Sequence, residues 1–142
     1  MFKIQKRVIY AIEAVLDIAL NAGANPVQNI TIAKRQGIPK RYLEQTLQIL
    51  VKNKILVASR GPRGGYRLAK ERRKIRIIDI INSMSSNNKN SESHKSELSK
   101  IIIEPLIEKF MRECENHLSM ISVEDIYNKY KKIYQNRSDK KV

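Results

Sequence analysis

Two short stretches hold the side chains whose types and spacing suit recognition chemistry. The first runs from Pro39 through Gln48. Read as a helix, it turns Leu43, Leu47 and Leu50 inward at i, i+4 and i+7, with Thr46 beside them. Arg41, Glu44, Gln45 and Gln48 then face the other way. A carboxylate such as Glu44 can accept from the exocyclic amine of cytosine, and a carboxamide such as Gln45 can pair bidentately with adenine. Lys40 and Arg41 stand at the leading end, at phosphate height. The second stretch is Arg60-Gly61-Pro62-Arg63-Gly64-Gly65-Tyr66, which holds three of the chain's five glycines. That concentration marks a hairpin whose backbone turns tightly or approaches something closely. Arg60 and Arg63 flank its turn, where guanidinium groups suit a narrow, electronegative minor groove. Lys34, Lys52, Lys54 and Arg67 complete the set as phosphate contacts, which add affinity without specificity.

These side chains need a scaffold, and the hydrophobic pattern supplies one. A first helix is expected from about Gln5 to Ala22, with Val8, Ile12, Val15, Leu16 and Ala19 on one face. A short helix from about Thr31 to Gln36 stops at Gly37, a residue that accepts the left-handed backbone of a helix end. Pro39 suits the first turn of the next helix, which extends to about Asn53. Ala33, Gly37 and Leu43 have the register of a helix-turn-helix. Strands are expected at about Val57–Ser59 and Tyr66–Ala69, then a helix from Ile75 to Met84 that buries Ile77, Ile80, Ile81 and Met84. A helix-turn-helix alone is a weak signal, and a solvated polar face accounts better for Glu44 and Gln45 in isolation. A basic, Gly-rich hairpin directly after it is far more restrictive. Together they describe a winged helix-turn-helix, with the second helix in the major groove and the hairpin along the backbone or in the minor groove.

Beyond residue 83 the pattern changes. Residues 85–97 carry no apolar side chain, and residues 84–97 are expected to form a polar linker. An apolar stripe then returns at Leu98, Ile102, Leu106, Phe110, Cys114 and Leu118, widened by Ile101, Ile103, Ile107 and Met111. It predicts one long helix over 97–119, about 33 Å in length, which Pro105 should kink or delay. Ser122 with Asp125 resembles a capping box opening a last helix to about Tyr134. The domain reading is therefore a DNA-binding unit at 1–83, a linker at 84–97 and a helical region at 98–142, whose stripe is wide enough to contact both its own domain and a partner. The fold class is mainly α with a small β-hairpin.

Composition supports a polyanion as partner. The 142 residues hold 28 Lys and Arg against 14 Asp and Glu, a formal charge of +14. Residues 1–83 contribute 17 basic and 5 acidic side chains, whereas residues 84–142 contribute 11 and 9. Ile, Lys and Asn are abundant, and an AT-rich genome would raise Lys throughout. Such a bias does not favour Arg, yet nine of the eleven arginines lie in the first half. A single cysteine excludes an internal disulfide. No apolar run approaches the roughly 18 residues that cross a membrane, and Glu13 and Asp17 mark the N-terminal stretch as a helix rather than a signal peptide. A cytoplasmic protein is expected. Two scattered histidines and one stripe cysteine make no convergent catalytic or metal site, so an enzyme is not expected.

With those residues in view, the chain resembles the bacterial winged helix-turn-helix regulator family of IscR, NsrR and CymR. Tyr42-Leu43-Glu44-Gln45, the wing string from Arg60 to Leu68, Ile77, Asp79 and Ile80, and the runs Tyr10-Ala11 and Leu16-Asp17 carry the resemblance. It is strong to about residue 83 and architectural beyond. It implies a homodimeric transcription regulator, whose long helices cross through Ile102, Leu106, Phe110 and Cys114 and whose two basic modules read a roughly palindromic operator on double-stranded DNA. The resemblance carries base contacts to Glu44, Gln45 and Arg60. Lys34, Lys40, Arg41, Tyr42, Gln48, Arg63, Gly64, Gly65 and Tyr66 complete the expected DNA-binding set. Many members hold an iron–sulfur cluster on three closely spaced cysteines between the helix after the wing and the long helix, and this chain has none there. Thiolates are the usual ligands of such clusters. The expectation is thus a cluster-free repressor with no cofactor or metal, answering to a metabolic enzyme or a small molecule. One alternative is a redox sensor that uses Cys114 and His117 across two subunits. Others are an RNA-associated basic protein, for which no aromatic platform is visible, and an interaction adaptor. His94 reads as a linker residue.

Overall fold

The computed structural model describes residues 3–85 and 96–141. Helix α1 (Lys6–Leu20) is the central element, packed against α3 (Lys40–Lys52) and α4 (Ile77–Met84). Its buried apolar side chains are Val8, Ala11, Ala14, Val15, Ile18 and Ala19. Val8, Val15 and Ala19 are as expected, while Ile12 and Leu16 are only partly buried. The face is centred on small alanines instead, which allow neighbouring helices to approach closely. Leu43, Leu47 and Leu50 of α3 and Ile77, Ile80 and Met84 of α4 complete this core. Burial of each large aliphatic side chain contributes about 1.5–3 kcal/mol.

Helix α2 (Asn29–Gln36) ends at Gly37, whose φ of +65° lies in the left-handed region. The next N–H, from Ile38, donates back to the Ala33 carbonyl at 3.2 Å and closes the turn. Pro39 stands one residue before α3 rather than in its first turn, and its carbonyl opens the helical ladder by accepting from the Leu43 N–H at 3.0 Å. Strands β1 (Leu56–Ser59) and β2 (Gly65–Leu68) pair antiparallel, with Ala58 opposite Tyr66. Val27 pairs with Tyr66 on the other edge of β2, so the wing is anchored to the loop before α2. A single 3-10 turn, Arg72–Lys74, leads to α4, where the Asp79 carboxylate accepts from the Arg76 N–H at 3.0 Å.

Most of the expected linker lies outside the described residues, and so does His94. Its proposed start does not hold, because Met84 is a buried part of α4. From residue 97 to 119 the chain is helical, but in two kinds of turn. A π-helical segment, Ser99–Ile103, precedes α5 (Glu104–Ser119), whose second residue is Pro105. Proline has no N–H to donate one turn back and its ring crowds that carbonyl, which the wider π turn relieves. Helix α6 (Val123–Asp139) opens on the expected capping box. Ser122 Oγ accepts from the Asp125 N–H at 3.1 Å and Asp125 Oδ2 accepts from the Ser122 N–H at 2.8 Å. The helix continues beyond Tyr134 because no Gly or Pro follows to end it. Helix α5 packs on α4, while α6 returns to α1. The Ile77 N–H bonds the Ile121 carbonyl at 2.9 Å and the Val123 N–H bonds the Ile75 carbonyl at 2.8 Å, which ties the α5–α6 turn to the start of α4.

Candidate nucleic-acid interface

The geometry of the helix-turn-helix depends on one buried charge. Asp17 sits in the last turn of α1, only 1% exposed. Arg35 Nε and Nη2 donate to its two carboxylate oxygens at 2.9 and 2.8 Å, and Gln36 Nε2 adds a third bond at 2.8 Å. The bidentate fork fixes direction as well as distance, so the end of α2 is clamped to α1 immediately before the turn. The hydrogen bond to Asp17 also raises the Arg35 pKa above its ordinary value. This clamp was not among the sequence expectations. The available signal was an aspartate within an apolar helix, since a buried carboxylate requires a partner.

So clamped, α3 presents Lys40, Arg41, Tyr42, Glu44, Gln45 and Gln48 to solvent while Leu43, Thr46 and Leu47 are buried. The Thr46 hydroxyl donates to the Tyr42 carbonyl at 2.8 Å, so the polar residue on the inner face is satisfied internally. Lys40, Arg41 and Glu44 form no ion pair among the described residues. The outer face of α3 therefore combines two cations, a carboxylate and two carboxamides that can meet hydrogen-bonding edges. Lys34 is exposed on α2 nearby.

In the wing, Arg60 and Arg63 are exposed at the turn. Gln28, Thr31 and Arg35 face Pro62 and Arg63 across a cleft of about 450 Å³ between α2 and the wing. Gly64, Gly65 and Tyr66 have internal roles. A Cβ on Gly64 would collide with the Ser59 carbonyl, and one on Gly65 would lie 2.5 Å from the Val27 oxygen. Tyr66 exchanges both backbone hydrogen bonds with Val27, at 2.8 and 2.9 Å. The close approach expected of these glycines is thus to the chain itself. One of the expected phosphate contacts needs correction. Arg67 donates to the Gly23 and Ala24 carbonyls at 2.9 and 2.6 Å and fastens the loop after α1. Lys54 lies past the far end of α3, whereas Lys52 is exposed at the helix's last position.

The stripe expected to join two subunits is open. Ile102, Leu106 and Phe110 are 56%, 61% and 43% exposed, and Cys114 is half-buried. No helix among the described residues is long and apolar enough to cross a membrane.

Fold and face together define a winged helix-turn-helix protein of the transcription-regulator class. The chain belongs to the Rrf2 family, described as "Iron-dependent Transcriptional regulator", which it matches over residues 4–129. It is similar to the HTH-type transcriptional regulator IscR of Escherichia coli O1:K1 / APEC, with 44% identity over 75 residues, 53% of this chain and 46% of that protein. The chain thus spans about half the length of the curated relatives it matches. Among solved structures it is similar to T. potens IscR, with a TM-score of 0.75 and 31% identity over 91% of this chain and 88% of that one. It is also similar to CymR (YrzC), the global cysteine regulator of B. subtilis, with a TM-score of 0.68 and 26% identity over 90% and 98%. The family and these relatives are transcriptional regulators, not enzymes.

The family description names iron, and the donor set here does not fit an iron–sulfur cluster. The one thiol per chain, Cys114, projects from α5, with the exposed His117 three residues on. Among the described residues no three His, Cys, Asp or Glu side chains converge.

Proposed function

We propose that this chain is a sequence-specific DNA-binding transcription regulator that acts as a homodimeric repressor. One observation carries the reading. Arg41, Glu44 and Gln45 stand exposed on α3 with no ion pair among the described residues, beside a wing tipped by Arg60 and Arg63. Glu44 and Gln45 read base edges in the major groove, with Tyr42 and Gln48 adjacent. Arg60 reaches the minor groove, while Lys34, Lys40, Arg41 and Arg63 hold phosphates. The second copy covers Ile102, Leu106, Phe110 and Cys114, with Ile103, Ile107 and Met111 widening the stripe, an apolar face that a monomer would leave largely in water. The regulator works without a cluster and responds to a metabolic enzyme or a small molecule, because one thiol per chain cannot supply the usual ligands.

The test is a titration of duplex DNA from the chain's own promoter and a panel of single-base variants, at several salt concentrations. The wild type should discriminate and lose affinity steeply with salt. Glu44→Ala should lose about 1–3 kcal/mol of discrimination at one base pair. Lys34→Ala should weaken every duplex alike and reduce the salt slope by about 1. Unchanged base preference in Glu44→Ala would refute the role of α3. Iron and acid-labile sulfide measured on anaerobically purified protein test the cluster-free reading, and a coloured, iron-bearing protein overturns it.

A further inference from the structure

A second polar concavity lies away from the recognition face. Asn53, Lys54, Lys70, Lys74, Asp79 and Asn82 line a space of about 300 Å³ where α3 ends, the wing begins and α4 passes. Three lysines stand against one lining carboxylate, which already accepts from the Arg76 N–H, and Glu71, outside the lining, interacts electrostatically with Lys74. None of the three lysines forms an ion pair among the described residues. Asn82 adds a carboxamide, whereas that of Asn53 is committed to the Ile49 carbonyl at 2.8 Å.

The backbone gives an independent reason to notice this place. Lys54 has a φ of +61° and is the one described residue other than glycine with positive φ. Its N–H donates to the Val51 carbonyl and that of Ile55 to the Leu50 carbonyl, both at 3.0 Å, closing α3 in the arrangement that glycine normally completes. An L side chain is strained in this conformation. The chain tolerates the strain and gains an ammonium group on the rim of the cavity.

We propose that this concavity binds a compact small-molecule anion carrying one or two phosphate groups. Lysine ammonium groups bind phosphate as point charges, and the volume is at the small end of ligand pockets. The C-terminal end of α3 opposes an anion, and the Ile49, Leu50 and Val51 carbonyls there are already occupied by the N–H groups of Asn53, Ile55 and Lys54, which offsets part of that effect. The site lies at the end of α3 away from Lys40 and Arg41. Helix α3 has 13 residues, so its two ends are about 20 Å apart. The ligand would touch the end of α3, the base of the wing and α4 together. The proposal deepens the small-molecule arm of the function above, yet the binding itself requires no DNA.

Inorganic pyrophosphate is the probe, titrated into the full chain by calorimetry and by amide NMR against sodium chloride of equal ionic strength. Saturable binding should shift the resonances of Lys54, Lys74 and Asn82. Lys54→Gly relieves the backbone strain and should melt no lower than wild type, yet bind about tenfold more weakly. Lys74→Gln should weaken binding similarly, and Arg41→Gln should leave it unchanged. Equal affinity in wild type and Lys54→Gly, or no saturation at millimolar pyrophosphate, overturns the proposal. So does displacement of pyrophosphate by duplex DNA, which would make this a nucleic-acid phosphate contact. Loss of DNA recognition with pyrophosphate binding intact would refute only the function proposed above.

Discussion

The Asp17–Arg35 clamp predicts an asymmetric mutational cycle. The Asp17 side chain is 0% accessible, while that of Arg35 is 39% accessible. Arg35→Ala leaves a buried carboxylate with only the Gln36 amide, at 2.8 Å. Breaking a fully buried pair costs about 3–5 kcal/mol. Water can reach the arginine end here and replace part of what is lost, which lowers the expected cost to about 2–3 kcal/mol. Asp17→Ala instead releases Arg35 and Gln36 towards solvent and should cost only about 1–2 kcal/mol. The double variant should resemble Asp17→Ala, giving a coupling energy of about 2 kcal/mol. For a domain of this size each kcal/mol lowers the melting temperature by about 3–4 °C, so Arg35→Ala should melt about 9 °C below wild type. Urea unfolding followed by far-UV circular dichroism supplies all four corners of the cycle. A greater loss from Asp17→Ala than from Arg35→Ala, or a coupling near zero, would show that the buried carboxylate does not hold α2 in place.

Three further outcomes are expected. Gly65→Ala places a Cβ 2.5 Å from the Val27 oxygen, so hydrogen exchange at the Val27 and Tyr66 amides should lose protection while the α1 amides keep theirs. Leu106→Asp with Met111→Asp puts two charges into the exposed α5 stripe and should yield a folded monomer in sedimentation. An unchanged dimer would place the interface elsewhere. Hydrogen bonds with Ser122, the backbone bond foremost, hold the Asp125 carboxyl below its ordinary value of 3.8. A depressed folded-state pKa contributes stability above the unfolded value that is lost as pH falls through the folded one. The first turn of α6 should therefore loosen in acid below pH 3.8, read from the Asp125 and Ile126 amide shifts, and Asp125→Asn should abolish that titration.

Much of this architecture is legible in the chain alone, because the signals involved are local. The i, i+4, i+7 leucines of α3 decide which side chains face outward whatever the helix packs against. Gly37 and the Ser122–Asp125 pair act through bonds a few residues long, and the Arg-Gly string after α3 specifies a wing. Non-local contacts decided the rest. Asp17 and Arg35 are 18 residues apart, and nothing local distinguishes Arg35 from the arginines on the surface. Arg67 resembles a phosphate contact until the fold places it against two loop carbonyls more than 40 residues away in sequence. Gly64 and Gly65 announce a close approach, but only the Val27 bridge and the tight turn after Ser59 show what is approached. The concavity at Lys54 combines three separate segments, so no sequence window contains it. Sequence by itself determined which residues can recognise a polyanion and on which helix face they lie, since periodicity and backbone conformation act over a few residues. Tertiary structure decided which charges are committed within the fold and which remain free for a partner, since a charge's role depends on what the chain brings within hydrogen-bonding distance.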